Sequence, residues 1–379
     1  MLKQTYAPHQ SNRLSNWDLL RTVSMFLVLV IHSTSMLDSV VKSHAITIAI
    51  NEALLLCDPV FFCLSGYFSI KPLKGSYLEY LSKKFRTVLV PIIIYIIPIY
   101  IYEVYLGREE SLKSFVAFHH EYLFSEWWFI PELIPFLIIA PLLYVMLEQL
   151  SDVHIRLAIR ILFITAAWGA ISTIAMQVFM RMHMTTKASV VSNLMRMLPV
   201  SVIPGSRYFI YFILGYLVKR MEGLKQERYN SFLLLGMIAT AISFILPLIG
   251  FNRDDPNPLW IFSTIATFFV FNRLVIRREK FRRFLLWTAK RSYTVYLIQY
   301  TVISFVSKKI GLFQYFASHG CGVFLSIVAW VLQVFMSYGL SLILASIFDA
   351  TILKGVQVCL ETIEGKLSHY IRRNTLGEN

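Results

Sequence analysis

Ten apolar runs, each about as long as a bilayer-crossing helix needs to be, divide the chain at 17–37, 46–70, 87–106, 128–147, 157–180, 199–218, 231–250, 258–276, 292–313 and 321–347. Lipid offers the backbone no hydrogen-bond partner, so each crossing must satisfy its own N–H and C=O groups, and a helix does so within one segment. The expected fold is an all-α polytopic membrane protein with about ten transmembrane helices. Of 379 residues, 56% are hydrophobic, and mean hydropathy is +0.61. These values leave no stretch for a soluble domain of ordinary size. Residues 1–350 are expected to form one membrane domain, and 351–379 a cytoplasmic amphipathic tail.

The net charge of +14 invites a nucleic-acid reading, but the positions of the charges argue against it. With the N-terminus inside, the inward-facing segments hold 26 of the 36 Lys and Arg residues, eight of them between Arg273 and Arg291. That asymmetry follows the positive-inside rule and predicts both termini in the cytoplasm. The lipid bilayer is the partner the charges imply, and no nucleic acid is expected. Four cysteines show no metal or disulfide spacing; no metal is predicted. A cleaved leader would need a basic region longer than twenty residues containing Asp18, so the first run is read as a retained span.

Ionisable groups inside apolar spans are costly, by roughly 2.5–3.5 kcal/mol each on insertion scales, and usually have a task. Of nine histidines only His32 lies in a predicted span. Arg21 precedes it by eleven residues, about 20° beyond three helical turns, so both side chains share one face roughly 16 Å apart along the axis. Asp18 stands three residues before Arg21, the spacing of an ion pair that orients the guanidinium; a plain positive-inside anchor fits the same pair. His32 suits a general base, a proton relay or a nucleophile; a neutral imidazole bonded to a neighbouring helix is the bland reading. Asp58, also at membrane depth, can orient an imidazole or pair with a buried polar group. Ser65 beside Gly66 suits hydrogen bonding across closely packed helices. Lys83, Lys84 and Arg86 open a helix on the inner side, where cations and free N–H groups suit an anion. Trp128 reads as an interface anchor, and Glu132 beside it is placed to meet a polar substrate. Pro199, Pro204 and Gly205 interrupt the sixth run, as backbone lining a cavity can; a helix that starts late at the outer surface fits the same residues equally well.

Taken together these segments resemble acyltransferase family 3, the integral-membrane acyltransferases. The family's arginine-ten-residues-histidine motif corresponds to Arg21 and His32, preceded by Asp18. Its FFxLSG motif is similar to Phe61, Phe62, Leu64, Ser65 and Gly66, and its basic stretch before a proline to Lys83, Lys84, Arg86 and Pro91. Trp128, Phe129 and Pro141 match its tryptophan-phenylalanine helix, and Phe212, Leu214 and Gly215 its FxLG element. Ser292, Tyr293, Tyr296 and Leu297 match a serine-tyrosine element that ends in Gln299, where many members carry histidine. Glutamine donates and accepts hydrogen bonds but does not titrate. A glutamate that some members place after the tryptophan falls here at Leu133, with Glu132 offset by one.

The resemblance implies transfer of an acyl group, usually acetyl from acetyl-CoA as donor substrate, to a hydroxyl of a cell-surface polysaccharide or lipid-linked glycan. It implies a multi-pass protein of the plasma or inner membrane. Under it His32 is general base or transient acyl carrier, and Arg21 with Asp18 organises the donor. Arg86, Lys84 and Ser65 bind the acyl-CoA, while Asp58, Trp128, Glu132, Tyr293 and Gln299 shape the acceptor site. A transporter or flippase of a polar lipid or small solute is the rival reading, since intramembrane charges and broken helices belong to transporters too.

Overall fold

The computed structural model describes residues 10–107, 114–197, 208–221, 226–252 and 255–376. In chain order its helices are α1 (Gln10–Ser33), α2 (Asp38–Val41), α3 (His44–Leu54), α4 (Cys57–Ser69), α5 (Tyr77–Lys84) and α6 (Val90–Tyr105). They continue with α7 (Phe115–Phe124), α8 (Phe129–Glu148), α9 (Asp152–Arg181), α10 (Thr185–Met197), α11 (Phe209–Arg220) and α12 (Gln226–Leu248). The last five are α13 (Trp260–Arg273), α14 (Glu279–Lys309), α15 (Leu312–Ser318), α16 (Val323–Phe348) and α17 (Lys354–Leu376). No strand occurs among the described residues.

Among the described residues, seven stretches are long and apolar enough to cross a bilayer: Ser15–Val41, His44–Ser69, Tyr77–Tyr105, Phe129–Glu148, Asp152–Arg181, Tyr229–Leu248 and Val323–Gly365. The other three predicted spans coincide with α11, of 12 residues, α13, of 14, and α14, long but too polar by the same measure. The proline-rich start of the sixth run, with Pro199, Pro204 and Gly205, lies outside the described residues. The basic stretch between the eighth and ninth runs reads in sequence as a loop, yet it is helical from Glu279 onward. Glu279 pairs with Arg282 at 3.3 Å and Arg283 at 3.2 Å, one turn away, which offsets the repulsion within the basic run.

Local chemistry sets several boundaries. Ser76 caps α5 by accepting from the Glu79 N–H at 3.2 Å, and Ser151 caps α9 by accepting from His154 N–H at 3.4 Å. Between α5 and α6 the backbone widens into a π-helical turn over Phe85–Leu89. Pro91 supplies the reason: it has no N–H for the carbonyl four residues earlier and its ring crowds that carbonyl. A second π turn, Asp349–Leu353, joins α16 to α17, so the predicted tail prolongs the last span.

The chain forms two compact units, Met1–Pro72, Glu132–Lys290 and Leu312–Val334 in the first and Leu73–Pro131, Arg291–Gly311 and Phe335–Asn379 in the second. The first unit is built around the crossing of α4 and α11. At Gly66 a β-carbon would fall within 1.8 Å of the Phe212 carbonyl oxygen; at Gly215 one would fall within 2.1 Å of the Cys63 oxygen. Each helix therefore uses its glycine to seat the other's backbone, the close approach by which helices associate in lipid. Phe62 and Phe212, both fully buried, flank the crossing and share Phe136 at 5.8 and 5.5 Å. Trp17 of α1 packs on Tyr67 at 4.9 Å and Phe268 at 5.2 Å. In the second unit, α14 is tied to backbone on both sides. Tyr293 Oη donates to Val88 O at 2.8 Å, Tyr296 Oη to Glu126 O at 3.2 Å, and Trp127 Nε1 to Leu297 O at 3.0 Å. Asp349 accepts from Tyr95 Oη at 2.8 Å and Thr294 Oγ1 at 3.0 Å.

Candidate active site

In the first unit, α1 runs unbroken from Gln10 to Ser33 and carries Asp18, Arg21 and His32. Asp18 and Arg21 pair at 3.8 Å across one turn, and the guanidinium sits 5.2 Å from the centre of the Phe68 ring of α4. Around this end of α1 other cations gather. Lys219 lies over Tyr67 at 5.6 Å, Arg282 Nε donates to Ser15 Oγ at 3.2 Å, and the charge of Lys290 acts on Asp18. Thr22 and Thr288 share a 2.8 Å hydrogen bond that keeps α14 against α1. Part of the basic stretch thus closes on the Asp18–Arg21 pair. Arg21, Lys219, Arg282 and Lys290 outnumber the two carboxylates among them, Asp18 and Glu279, and this excess of positive charge suits a polyanion.

His32 occupies the last turn of the same helix. The chain is strapped immediately beyond it. Thr34 Oγ1 donates to Asn51 Oδ1 at 2.5 Å, and the Ser33 carbonyl accepts from Trp330 Nε1 at 3.1 Å. Asn51 begins a polar group that the sequence reading passed over. Glu52, 1% exposed, accepts from Asn257 Nδ2 at 2.6 Å. Asn257 also donates to Ser243 Oγ at 3.3 Å and accepts from the Leu259 N–H at 3.0 Å. Tyr208 Oη donates to Asp255 Oδ1 at 2.6 Å, and Tyr211 Oη to the Asn257 carbonyl at 3.3 Å. Glu52, Thr173, Gln177, Ser243 and Asn257 line a cavity of about 20 Å³, room for one water. Asp58 accepts from Cys57 Sγ at 3.4 Å and acts electrostatically on Tyr208. Glu52 carried a signal in the sequence, since it lies inside the 46–70 run. Asp255 and Asn257 flank the 258–276 run and Tyr208 lies inside the 199–218 run, and none of the three carried one. Ser65 abuts Gly66 at the α4–α11 crossing, and Glu132 begins α8 within this unit.

The remaining predicted residues belong to the second unit. Arg86 is paired with Glu364 in a short contact and with Glu361 at 3.9 Å, both on α17. Its carbonyl accepts from Gln357 Nε2 at 3.1 Å, while Lys84 lies over Tyr80 at 5.5 Å. Tyr293 spends its hydroxyl on Val88. Trp128 meets Phe129 edge to face at 6.2 Å. Gln299 is wholly buried, and neither its Oε1 nor its Nε2 has a hydrogen-bond partner. An amide left this way calls for a water or a ligand.

A protein-family comparison accords with this arrangement: the family model described as "Acyltransferase domain" matches residues 14–348. No curated protein and no solved structure matches the chain. The matched span runs from within α1, four residues before Asp18, to the end of α16.

Proposed function

The chain belongs to acyltransferase family 3 and is a multi-pass membrane acyltransferase, and from that premise we propose that it moves an acetyl group from acetyl-CoA to a hydroxyl of a cell-surface polysaccharide or lipid-linked glycan. The proposed site is the plasma or inner membrane, with both termini in the cytoplasm. The observation that carries the reading is α1 itself: one unbroken helix bears a cation cluster at Arg21 and, roughly 16 Å along the axis, the imidazole of His32.

In the proposed reaction the donor's phosphates meet Arg21, Lys219, Arg282 and Lys290, with Asp18 orienting Arg21. His32 takes the proton of the acceptor hydroxyl as that oxygen attacks the thioester carbonyl. The carbon–sulfur bond then breaks, the acetyl ester forms, and the coenzyme A thiolate leaves as the thiol with that proton. A transient acyl-imidazole on His32 is the two-step version of the same transfer. Within the second unit, Gln299 keeps both amide atoms unspent, with donors and an acceptor suited to a polar ligand. Glu52 and Asn257 hold the chain around Asn51 and so the turn that follows His32. Arg86 can serve the donor only by giving up carboxylates of α17.

The test is acetyl-CoA thiol release by purified protein in nanodiscs, with and without glycan acceptor. His32→Ala should abolish acceptor-dependent release while eluting as the parent does in size-exclusion chromatography. Retained turnover in that variant would end the assignment.

A further inference from the structure

Seven cations of the first unit lie in the stretch 273–290, and they divide into two sets. Arg273 lies over the Tyr229 ring at 3.3 Å, Arg282 Nε donates to Ser15 Oγ, and the charge of Lys290 acts on Asp18, so these three engage the protein. Arg277, Arg278, Lys280 and Arg283 are exposed. The only carboxylate in the stretch, Glu279, is shared by Arg282 and Arg283. At 100° per residue, Lys280 stands about 160° around α14 from Arg282 and Arg283 about 100° from it, so both turn away from the Ser15 contact.

Two contacts fix the level of this stretch in the bilayer. Arg282 touches Ser15, the first residue of the bilayer-crossing stretch Ser15–Val41. Arg273 touches Tyr229, the first residue of the bilayer-crossing stretch Tyr229–Leu248. Both ends of the basic stretch that precedes Phe284 thus stand where apolar span gives way to headgroup, a layer roughly 5–7 Å deep on each side of the hydrocarbon.

The apolar side chains agree with that level. Ile276 is buried, whereas Leu274, Val275, Phe281, Phe284 and Leu286 are exposed, Phe284 by 49%. Phe281 stacks on Phe284 at 6.4 Å and Phe284 on Trp287 at 6.1 Å, a ladder of three rings on the side of α14 that carries Lys280. Rings left in water cost free energy, and cations sunk in hydrocarbon cost more. The boundary between acyl chains and headgroups accommodates both, the rings below and the charges above. The sign of the charge then selects the lipid: four exposed cations with one shared carboxylate favour a headgroup of net negative charge over a zwitterionic one.

We propose that the face formed by residues 274–287 docks on anionic phospholipid, with Arg277, Arg278, Lys280 and Arg283 meeting the headgroups and the Phe281–Phe284–Trp287 ladder entering the acyl boundary. The inference goes beyond acyl transfer and does not rest on it, since lipid retention is read without donor or acceptor. None of the four cations is among those assigned to the donor.

The full chain is released from nanodiscs of equimolar phosphatidylglycerol and phosphatidylcholine, and the lipids it retains are counted by native mass spectrometry. Phosphatidylglycerol should be retained over phosphatidylcholine by at least about tenfold. Arg277→Gln with Arg278→Gln, and separately Lys280→Gln with Arg283→Gln, should each lower that preference about fivefold or more. Lys308→Gln with Lys309→Gln removes two exposed charges from the last turn of the same helix and should leave the preference as in the parent. Lys280→Gln alone should lower it by a smaller factor, and it serves where a double variant elutes abnormally in size-exclusion chromatography. The proposal is overturned if the parent shows no preference, or if the 277–283 variants keep the parent's ratio, which would leave the face to a protein partner. It is overturned equally if the Lys308 and Lys309 control loses as much as they do.

Discussion

Replacing Gly215 by alanine tests whether the α4–α11 crossing organises the first unit. The new β-carbon would lie 2.1 Å from the Cys63 oxygen and 2.5 Å from the Tyr67 nitrogen, where ordinary contact begins at 3.4 Å. Both neighbours are backbone, so no side chain can turn aside, and α11 must withdraw by more than an ångström. That withdrawal loosens Phe62, Phe212 and Phe136, which meet beside the crossing. Overpacking of this kind costs about 1–3 kcal/mol, occasionally more, and the backbone contacts put it at the upper end. Alanine's better helix propensity returns roughly 1 kcal/mol, leaving a net loss of about 2 kcal/mol. Gly339 provides the control, since a β-carbon there meets nothing within 4 Å and only the propensity gain applies. Equilibrium unfolding in mixed micelles should therefore move in opposite directions for Gly215→Ala and Gly339→Ala. If Gly215→Ala proves as stable as the parent, or is stabilised alongside the control, the close crossing is not what holds this unit.

Glu52→Leu should destabilise by about 1–3 kcal/mol in the same assay, because it takes from the buried Asn257 amide the shorter of its two acceptors and leaves only Ser243 at 3.3 Å, whereas Glu52→Gln should cost less. Tyr293→Phe should cost about 1 kcal/mol and leave acetyl transfer near the parental rate if its hydroxyl serves only Val88; a loss of turnover at unchanged stability would assign it to substrate instead. Glu364→Gln removes the carboxylate nearest Arg86 and, if Arg86 serves the donor, should lower KM for acetyl-CoA by up to about fivefold; an unchanged or higher KM argues against donor binding there. Burial holds the Glu126 carboxyl above its ordinary range, so the fold disfavours its ionised form and stability is lost as pH rises through the raised value. Thermal unfolding between neutral pH and the ordinary carboxylate range would check the sign.

Much of the candidate site was legible because it is local. Asp18, Arg21 and His32 lie on one helix, and the helical repeat alone aligns them. The glycine of each short motif was visible too, but not that Gly66 and Gly215 seat each other's helices. Tyr293 read as a substrate residue; that Tyr293 and Tyr296 each donate to a backbone carbonyl is something residue type does not announce. The basic stretch before Ser292 read as a loop because high charge resembles solvent exposure, whereas Glu279 and contacts to α1 make it helical.

Hydrophobic period and the distribution of charge, both properties of neighbouring residues, determined that this chain is helical and membrane-spanning and that α1 carries an imidazole and a guanidinium on one face. Tertiary structure alone decided which distant groups meet. Glu52 finds Asn257 across 205 residues, Arg86 finds Glu364 across 278, and three glutamates from separate stretches close around one cavity. A buried polar group must satisfy its hydrogen bonds wherever the fold provides a partner, and the chain distance to that partner leaves no periodic trace.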